Sequence, residues 1–263
     1  MRIFQTPQEP FLTQEFCSLL SSHLPLTYIQ GIPTINGKTF FWSTEKFEGI
    51  KKQYLVGENL TNAKKSFFVH DPRPYIFSFR AYAPAFRNKL RRAQKNNLVF
   101  RLQNQPAQNI IADCYRIYDA NMAKIRTFSF APEFFGSLFS LPFTRLLTVS
   151  RQNELLAFGL MLGNLLFIQS SSPLGKSLGA NNLLYDELFK LLENQTIFSG
   201  IAGKSNVGLY AFKLHAGLRP IPAQPSYFDP IYYIPKFLRH NALAGWVVRS
   251  MDKKKILPYV LPY

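Results

Sequence analysis

Two Gly-Lys-Ser triplets, Gly175-Lys176-Ser177 and Gly203-Lys204-Ser205, set a cation beside a residue with no side chain, a pairing suited to a phosphate. A nucleotide-binding P-loop needs another glycine five positions earlier, so that backbone N–H groups wrap the phosphates. Those positions hold Ser170 and Phe198, so neither triplet qualifies. A simpler anion site stays open to both: each precedes a predicted helix, whose free N–H groups and dipole attract negative charge, and Lys176 or Lys204 reinforces it. Around the first triplet, Gly175 and Gly179 permit close backbone approach to a ligand, and Asn181 and Asn182 follow where the helix begins. A second concentration of cations comes earlier. Arg87, Arg91 and Lys95 stand at i, i+4 and i+8 of a predicted helix, with Arg92 beside them. Like charges so spaced repel by roughly 0.2–0.5 kcal/mol per pair in an isolated helix, so the row implies an anionic partner or a solvated face.

Other chemistries lack their residues. His23, His70, His215 and His240 are scattered, no Ser occupies a Gly-x-Ser-x-Gly elbow, and neither Cys17 nor Cys114 has a context that would lower a thiol pKa. Hydrolysis through a covalent nucleophile is therefore not expected. Neither cysteine belongs to a CxxC or Cys/His group, so no metal site is expected and both read as ordinary thiols.

The 263 residues allow one large domain or two small ones. With 47% hydrophobic and 17% charged residues the chain is packed and globular, not disordered or coiled-coil. Its 31 Lys and Arg against 15 Asp and Glu give a net charge of +16, which favours phosphate groups, RNA or an acidic lipid surface. Positions 1–10 carry two prolines and a Gln-Glu pair where a secretory signal would be apolar. The longest apolar run, 155–168, is broken by Gly163-Asn164 and falls short of the roughly 20 residues that a spanning helix needs. A cytoplasmic protein is expected, with peripheral contact at the inner face of the membrane left open.

These groups need elements to hold them. A helix is predicted at 13–22 and strands at 40–43 and 67–69. Asp71-Pro72-Arg73-Pro74 reads as a stiff connector and domain boundary, because each proline fixes its own φ and disfavours helix in the residue before it. Beyond it the pattern predicts a helix at 84–97 with Phe86, Leu90 and Ala93 inward, a strand at 98–102, and helices at 107–124 and 132–140. Strands at 144–150, 155–162 and 165–170, joined by hairpin-sized turns, form an antiparallel meander. A Ser/Gly-rich loop at 171–179, a helix at 180–192, a strand at 197–202, a helix at 207–214 and a strand at 227–234 follow, then a basic tail at 241–263. This order is α/β with a mixed sheet.

Three segments carry a resemblance. Arg87-Asn88-Lys89-Leu90-Arg91-Arg92-Ala93-Gln94-Lys95-Asn96-Asn97-Leu98 resembles the R-x-x-I-R-K-A-x-K-x-G-L helix of the FemAB-like branch of GNAT acyltransferases. Leu178-Gly179-Ala180-Asn181-Asn182-Leu183-Leu184 resembles its G-A-N-x-L-L helix start, and Gly208-Leu209-Tyr210-Ala211-Phe212-Lys213-Leu214-His215-Ala216-Gly217 its G-L-x-x-F-K-x-x-F-G signature. Asn97 stands where the pattern has Gly, Ala216 where it has an aromatic, and the Q/R-x-x-G-x-G/A pyrophosphate loop of acetyl-CoA enzymes is missing around Gly175 and Gly179.

The resemblance implies a GNAT-like α/β fold, a mixed, mostly antiparallel sheet flanked by helices, with a reduced N-terminal α+β subdomain at 1–82 before an acyltransferase domain at 83–240. The implied activity is N-acyl transfer from acyl-CoA, a phosphate-bearing carrier, to an amine acceptor, with no bound cofactor. The alternatives are an aminoacyl-tRNA-dependent transferase acting on a peptidoglycan-type precursor, and a non-catalytic basic module that binds RNA or an anionic membrane through Arg87, Arg91, Arg92, Lys95 and Lys253-Lys254-Lys255. Lys213 is the implied catalytic cation, stabilising the oxyanion that forms on the attacked carbonyl. Phe212 would pack beside the acyl or terminal-nucleotide group, with Tyr210 in the same binding site. Arg87, Arg91, Arg92, Lys95, Gly175, Lys176, Gly179, Asn181, Asn182 and Lys204 would meet the donor. His215, Asp186 and Asp229 are the general-base candidates; His215 lies about 200° round the helix from Lys213.

Overall fold

The runs of Leu, Val, Phe and Ile that the sequence separates by two-residue turns form the centre of a mixed sheet. The computed structural model describes residues 2–223, apart from 24–25, 36, 51, 61–62, 64, 125–129 and 205. The strand expected at 227–234, the basic tail and Asp229 lie outside the described residues.

Along the chain come α1 (Glu9–Leu12), α2 (Gln14–Ser21), β1 (Thr27–Ile29), β2 (Ile32–Thr34), β3 (Lys38–Ser43), β4 (Lys52–Leu55), β5 (Lys65–His70), α3 (Tyr75–Ala81) and α4 (Pro84–Lys95). Next are β6 (Val99–Gln103), α5 (Gln108–Lys124), α6 (Pro132–Ser137), β7 (Thr144–Arg151), β8 (Glu154–Leu162) and β9 (Leu165–Ser171). The described part closes with α7 (Pro173–Leu178), α8 (Ala180–Leu191), β10 (Ile197–Gly203), α9 (Val207–His215) and β11 (Arg219–Ala223).

The main sheet has the order β11-β5-β10-β9-β8-β7-β6, and β1-β2 and β3-β4 form two small sheets. Within the main sheet β10 and β9 run parallel and the other neighbours antiparallel. The two tight turns of the meander follow their residues. Gln152 and Asn153 both take positive φ, 49° and 67°, as a type I′ hairpin requires, and Gly163 takes φ 59°. Asn164 then fastens the second turn. Its Oδ1 accepts from Phe4 N at 2.8 Å, and its Nδ2 donates to Phe4 O at 2.9 Å and Thr196 O at 2.8 Å.

Alternating side chains give the sheet two apolar faces. Phe67, Val69, Leu146, Phe158 and Leu160 join a core with α1, α2, α5 and α6, while Phe68, Leu147, Val149 and Met161 join a second core with α4 and α8. Three features differ from the sequence expectation. The loop expected at 171–179 contains α7, because Ser172 Oγ caps Gly175 N at 3.0 Å and Pro173 opens the helix. The residues after Pro74 form α3. Strand β5, from before the Asp71–Pro74 connector, pairs with both β10 and β11, so one sheet is built from both sides of that connector.

Gly179 and Gly175 are spent on packing. Gly179 takes φ 83° between α7 and α8, and a Cβ there would strike Lys89 O of α4; a Cβ on Gly175 would strike Leu156 O of β8. Gly31 has a similar φ of 78° but nothing within 4 Å. Gly31→Ala should therefore cost only the left-handed penalty of about 1–2 kcal/mol. Gly179→Ala should cost about 2–5 kcal/mol, because overpacking adds to it. Urea denaturation of the two variants checks this; equal losses would show that the α4–α8 approach is not limiting.

Candidate functional site

Between β9 and β10 the only ladder pair is Phe198 with Leu165. Beyond it their ladder stops, and on its other side β10 breaks register with β5 between Phe198 and Ile201, where Gly200 takes φ 65°. A buried backbone group without a partner costs about 1–3 kcal/mol, so such a gap must be filled by other donors. Side chains supply them. Lys213 of α9 donates from Nζ to Ser199 O. Asn121 of α5 donates to Ser171 O at 2.9 Å and to Ser170 Oγ at 2.7 Å. Tyr185 of α8 spans the two strands: its OH donates to Gln169 Oε1 on β9 at 2.9 Å and lies 2.7 Å from Ser199 Oγ on β10.

Lys213 is only 4% exposed, with Nζ 5.3 Å from the centre of the Phe68 ring. Burial pushes its pKa down from 10.5 to about 7, since a low-dielectric surrounding disfavours the ammonium. Phe212, next to it, packs against Phe86 and Tyr185 at centroid distances of 5.8 and 5.1 Å, joining α9 to α4 and α8. The Tyr210 ring lies 5.1 Å from that of Phe68, and its OH lies 3.3 Å from Ser66 Oγ. Ser66 in turn lines a recess of about 360 Å³ together with Leu60, Ala63, Lys204 and Pro222. Of the sequence-predicted site residues, Lys204 lines that recess, and Tyr210 reaches it only through its contact with Ser66.

A cationic rim lies where β9 ends. Lys176 donates from Nζ to Asn121 Oδ1 at 2.9 Å, and its pKa is lowered by burial first and by the charge of Lys124 second. Arg92 donates to Ser177 O at 3.1 Å. Asn181 donates to Ser171 Oγ at 3.0 Å, its own Oδ1 is buried without a hydrogen-bond partner among the described residues, and Asn182 is buried. Gly175 and Gly179 spend their small size on Leu156 and Lys89, and the N–H groups of Gly175 and Lys176 already bond to Ser172. Arg87 is half-buried, and Arg91 and Lys95 are exposed along α4.

The general-base candidates sit apart in character. Asp186 is buried and fully engaged: Oδ1 accepts from Tyr75 at 2.5 Å and Tyr82 at 3.1 Å, and Oδ2 lies 2.8 Å from Lys190 Nζ. His215 is exposed at the last position of α9. Sequence reasoning missed Asn121, Gln169, Tyr185 and Ser199. The one available signal was a Gln in the otherwise apolar run Leu165-Leu166-Phe167-Ile168-Gln169. Among the described residues no group of His, Cys, Asp and Glu could hold a metal ion.

No family model matches the chain, and no curated protein does either. Solved structures do resemble the chain. The crystal structure of FemX matches with a TM-score of 0.50 at 11% identity, over 63% of this chain and 62% of that one. A C-terminal DUF2156 domain from Agrobacterium fabrum, assigned to a lysylphosphatidylglycerol synthetase, matches with a TM-score of 0.46 at 12% identity, over 80% of this chain and 74% of that one. A conserved protein of unknown function from Bacteroides thetaiotaomicron VPI-5482 gives 0.46 at 10% identity, over 65% and 68%. The chain spans less than two thirds of the FemX chain. What the likeness establishes is the fold: GNAT-like, with a mostly antiparallel seven-stranded sheet flanked by helices.

The buried ammonium makes stability depend on pH. Between about 7 and 10.5 the unfolded chain binds the proton that folded Lys213 has released, so stability rises as pH climbs through that window. Measured against Lys213→Met, the melting temperature of the unaltered protein should gain steadily across it. A constant difference between the two would show that the ammonium is not desolvated.

Proposed function

We propose that the protein is an N-acyltransferase, moving an acyl or aminoacyl group from a phosphate-bearing carrier to an amine. The observation that supports this reading best is the buried Lys213 cation at the interrupted β9–β10 ladder, within a fold shared with FemX and on a segment that resembles the FemAB-like signature. In such a reaction the amine nitrogen bonds to the carbonyl carbon, the carbonyl oxygen takes negative charge, and collapse of that intermediate expels the carrier oxygen or sulfur. A fixed cation near the oxygen lowers the barrier because its attraction grows with the developing charge.

Of the two carriers, aminoacyl-tRNA is the better supported. A helix start that cradles the pyrophosphate of CoA needs free N–H groups and open glycines. In α7 the Gly175 and Lys176 N–H groups bond to Ser172, and the room at Gly175 and Gly179 is taken by protein backbone. Arg92, Lys124 and Lys176 on the rim, with Arg91 and Lys95 exposed on α4, suit a longer polyanion.

Incubation of the purified protein with panels of aminoacyl-tRNA and acyl-CoA, read by mass spectrometry, should show donor consumption that needs an added amine. No turnover with either panel would overturn the reading. With the donor identified, Lys213→Met should lower kcat by about a hundredfold while KM changes far less. Because the ammonium acts in its protonated form, kcat should fall as pH rises through about 7. A kcat that rises through the same pH would mean that Lys213 accepts the amine proton, and would remove the oxyanion role.

A further inference from the structure

We propose that α3 docks the protein onto an anionic lipid bilayer. Ile76, Phe77 and Phe79 are 50%, 51% and 38% exposed, although they are consecutive or near-consecutive large apolar residues on one seven-residue helix. The inner side of that helix is firmly held. Tyr75 OH donates to Asp186 Oδ1 at 2.5 Å, Ser78 Oγ lies 2.8 Å from His70 Nε2, and just before the helix Arg73 donates to Gly217 O at 2.9 Å. The outer side therefore projects from a fixed base, and it is built of the residues least suited to water.

The charges around it select the occupant. From position 72 to position 97 the chain carries seven cations, Arg73, Arg80, Arg87, Lys89, Arg91, Arg92 and Lys95, and no carboxylate. The Arg80 guanidinium stands 6.0 Å from the centre of the Phe77 ring, so a cation borders the apolar group itself. A polyanion such as RNA would neutralise the cations and leave Ile76 in water. A bilayer with acidic headgroups meets both demands: Ile76, Phe77 and Phe79 enter the acyl boundary while Arg80 stays at headgroup depth. Among the described residues no helix is long and apolar enough to cross a membrane, so this contact lies on the surface of the bilayer.

The test is flotation of the full chain with phosphatidylcholine vesicles made with or without phosphatidylglycerol, which reads no turnover and so stands apart from the transferase reading. The protein should float with the anionic vesicles and much less with the neutral ones. The paired variant Ile76→Ser, Phe77→Ser should partition about tenfold or more weakly at an unchanged melting temperature, since both side chains are half in water in the free protein. No flotation with anionic vesicles would overturn the proposal, and so would flotation that the paired variant leaves intact. A melting temperature lowered by the variant without lipid would show that another part of the chain covers α3. Binding of purified tRNA that the variant abolishes, with no vesicle binding, would assign the face to RNA instead.

Discussion

A parallel pair of strands that stops after a single ladder contact is the constraint on which the candidate site depends. Strands β9 and β10 pair at Leu165 and Phe198, and past that point the ladder between them does not continue. An interior polar group must be paired, so the gap obliges neighbouring helices to send donors into it. Asn121 comes from α5 on one face of the sheet, and Tyr185 and Lys213 come from α8 and α9 on the other. The polar residues at the centre of the molecule are thus consequences of where the sheet is interrupted.

Two distant parts of the chain keep that interruption in place. Strand β5 flanks β10 on the side away from β9, pairing Val69 with Phe198 and Phe67 with Ile201 around the register break. Without it β10 would be an unsupported edge. On the helical side, α4 reaches α8 closely enough for the Lys89 carbonyl to sit over Gly179, and Phe86 and Tyr185 both pack on Phe212. The basic helix that the sequence marks by its charges thus also braces the helix that carries Lys213.

Local features were legible in the sequence and non-local ones were not. The Gln152-Asn153 and Gly163-Asn164 turns, the apolar strands beside them and the start of α8 at Ala180 follow from residue types within a few positions of one another. Helix α7 was legible too, since Ser172 and Pro173 are ordinary helix-start residues, but the surrounding glycines suggested a loop. The place of β5 in the sheet was hidden, because its partners in β10 lie more than a hundred positions away. The same holds for the site. Lys213 could be singled out only through the resemblance, and Asn121 meets Ser171 across a separation of 50 positions with no motif to join them. Tyr185 and Ser199, 14 positions apart, look like an ordinary helix tyrosine and an ordinary strand serine until the fold sets them 2.7 Å apart.

The buried charges differ in how the loss of water is offset. Asp186 is buried with two tyrosine hydroxyls and the Lys190 ammonium, an arrangement that offsets the loss of water. Lys213 is buried with a backbone carbonyl and an aromatic ring, and burial alone drives its pKa toward neutrality. If capping a stray carbonyl were its whole task, a neutral amide would do, as Asn121 does at Ser171 O without any charge to desolvate. Lys213 thus weakens the folded state at neutral pH in a place where a neutral donor would not, and the oxyanion role proposed for it rests on that contrast.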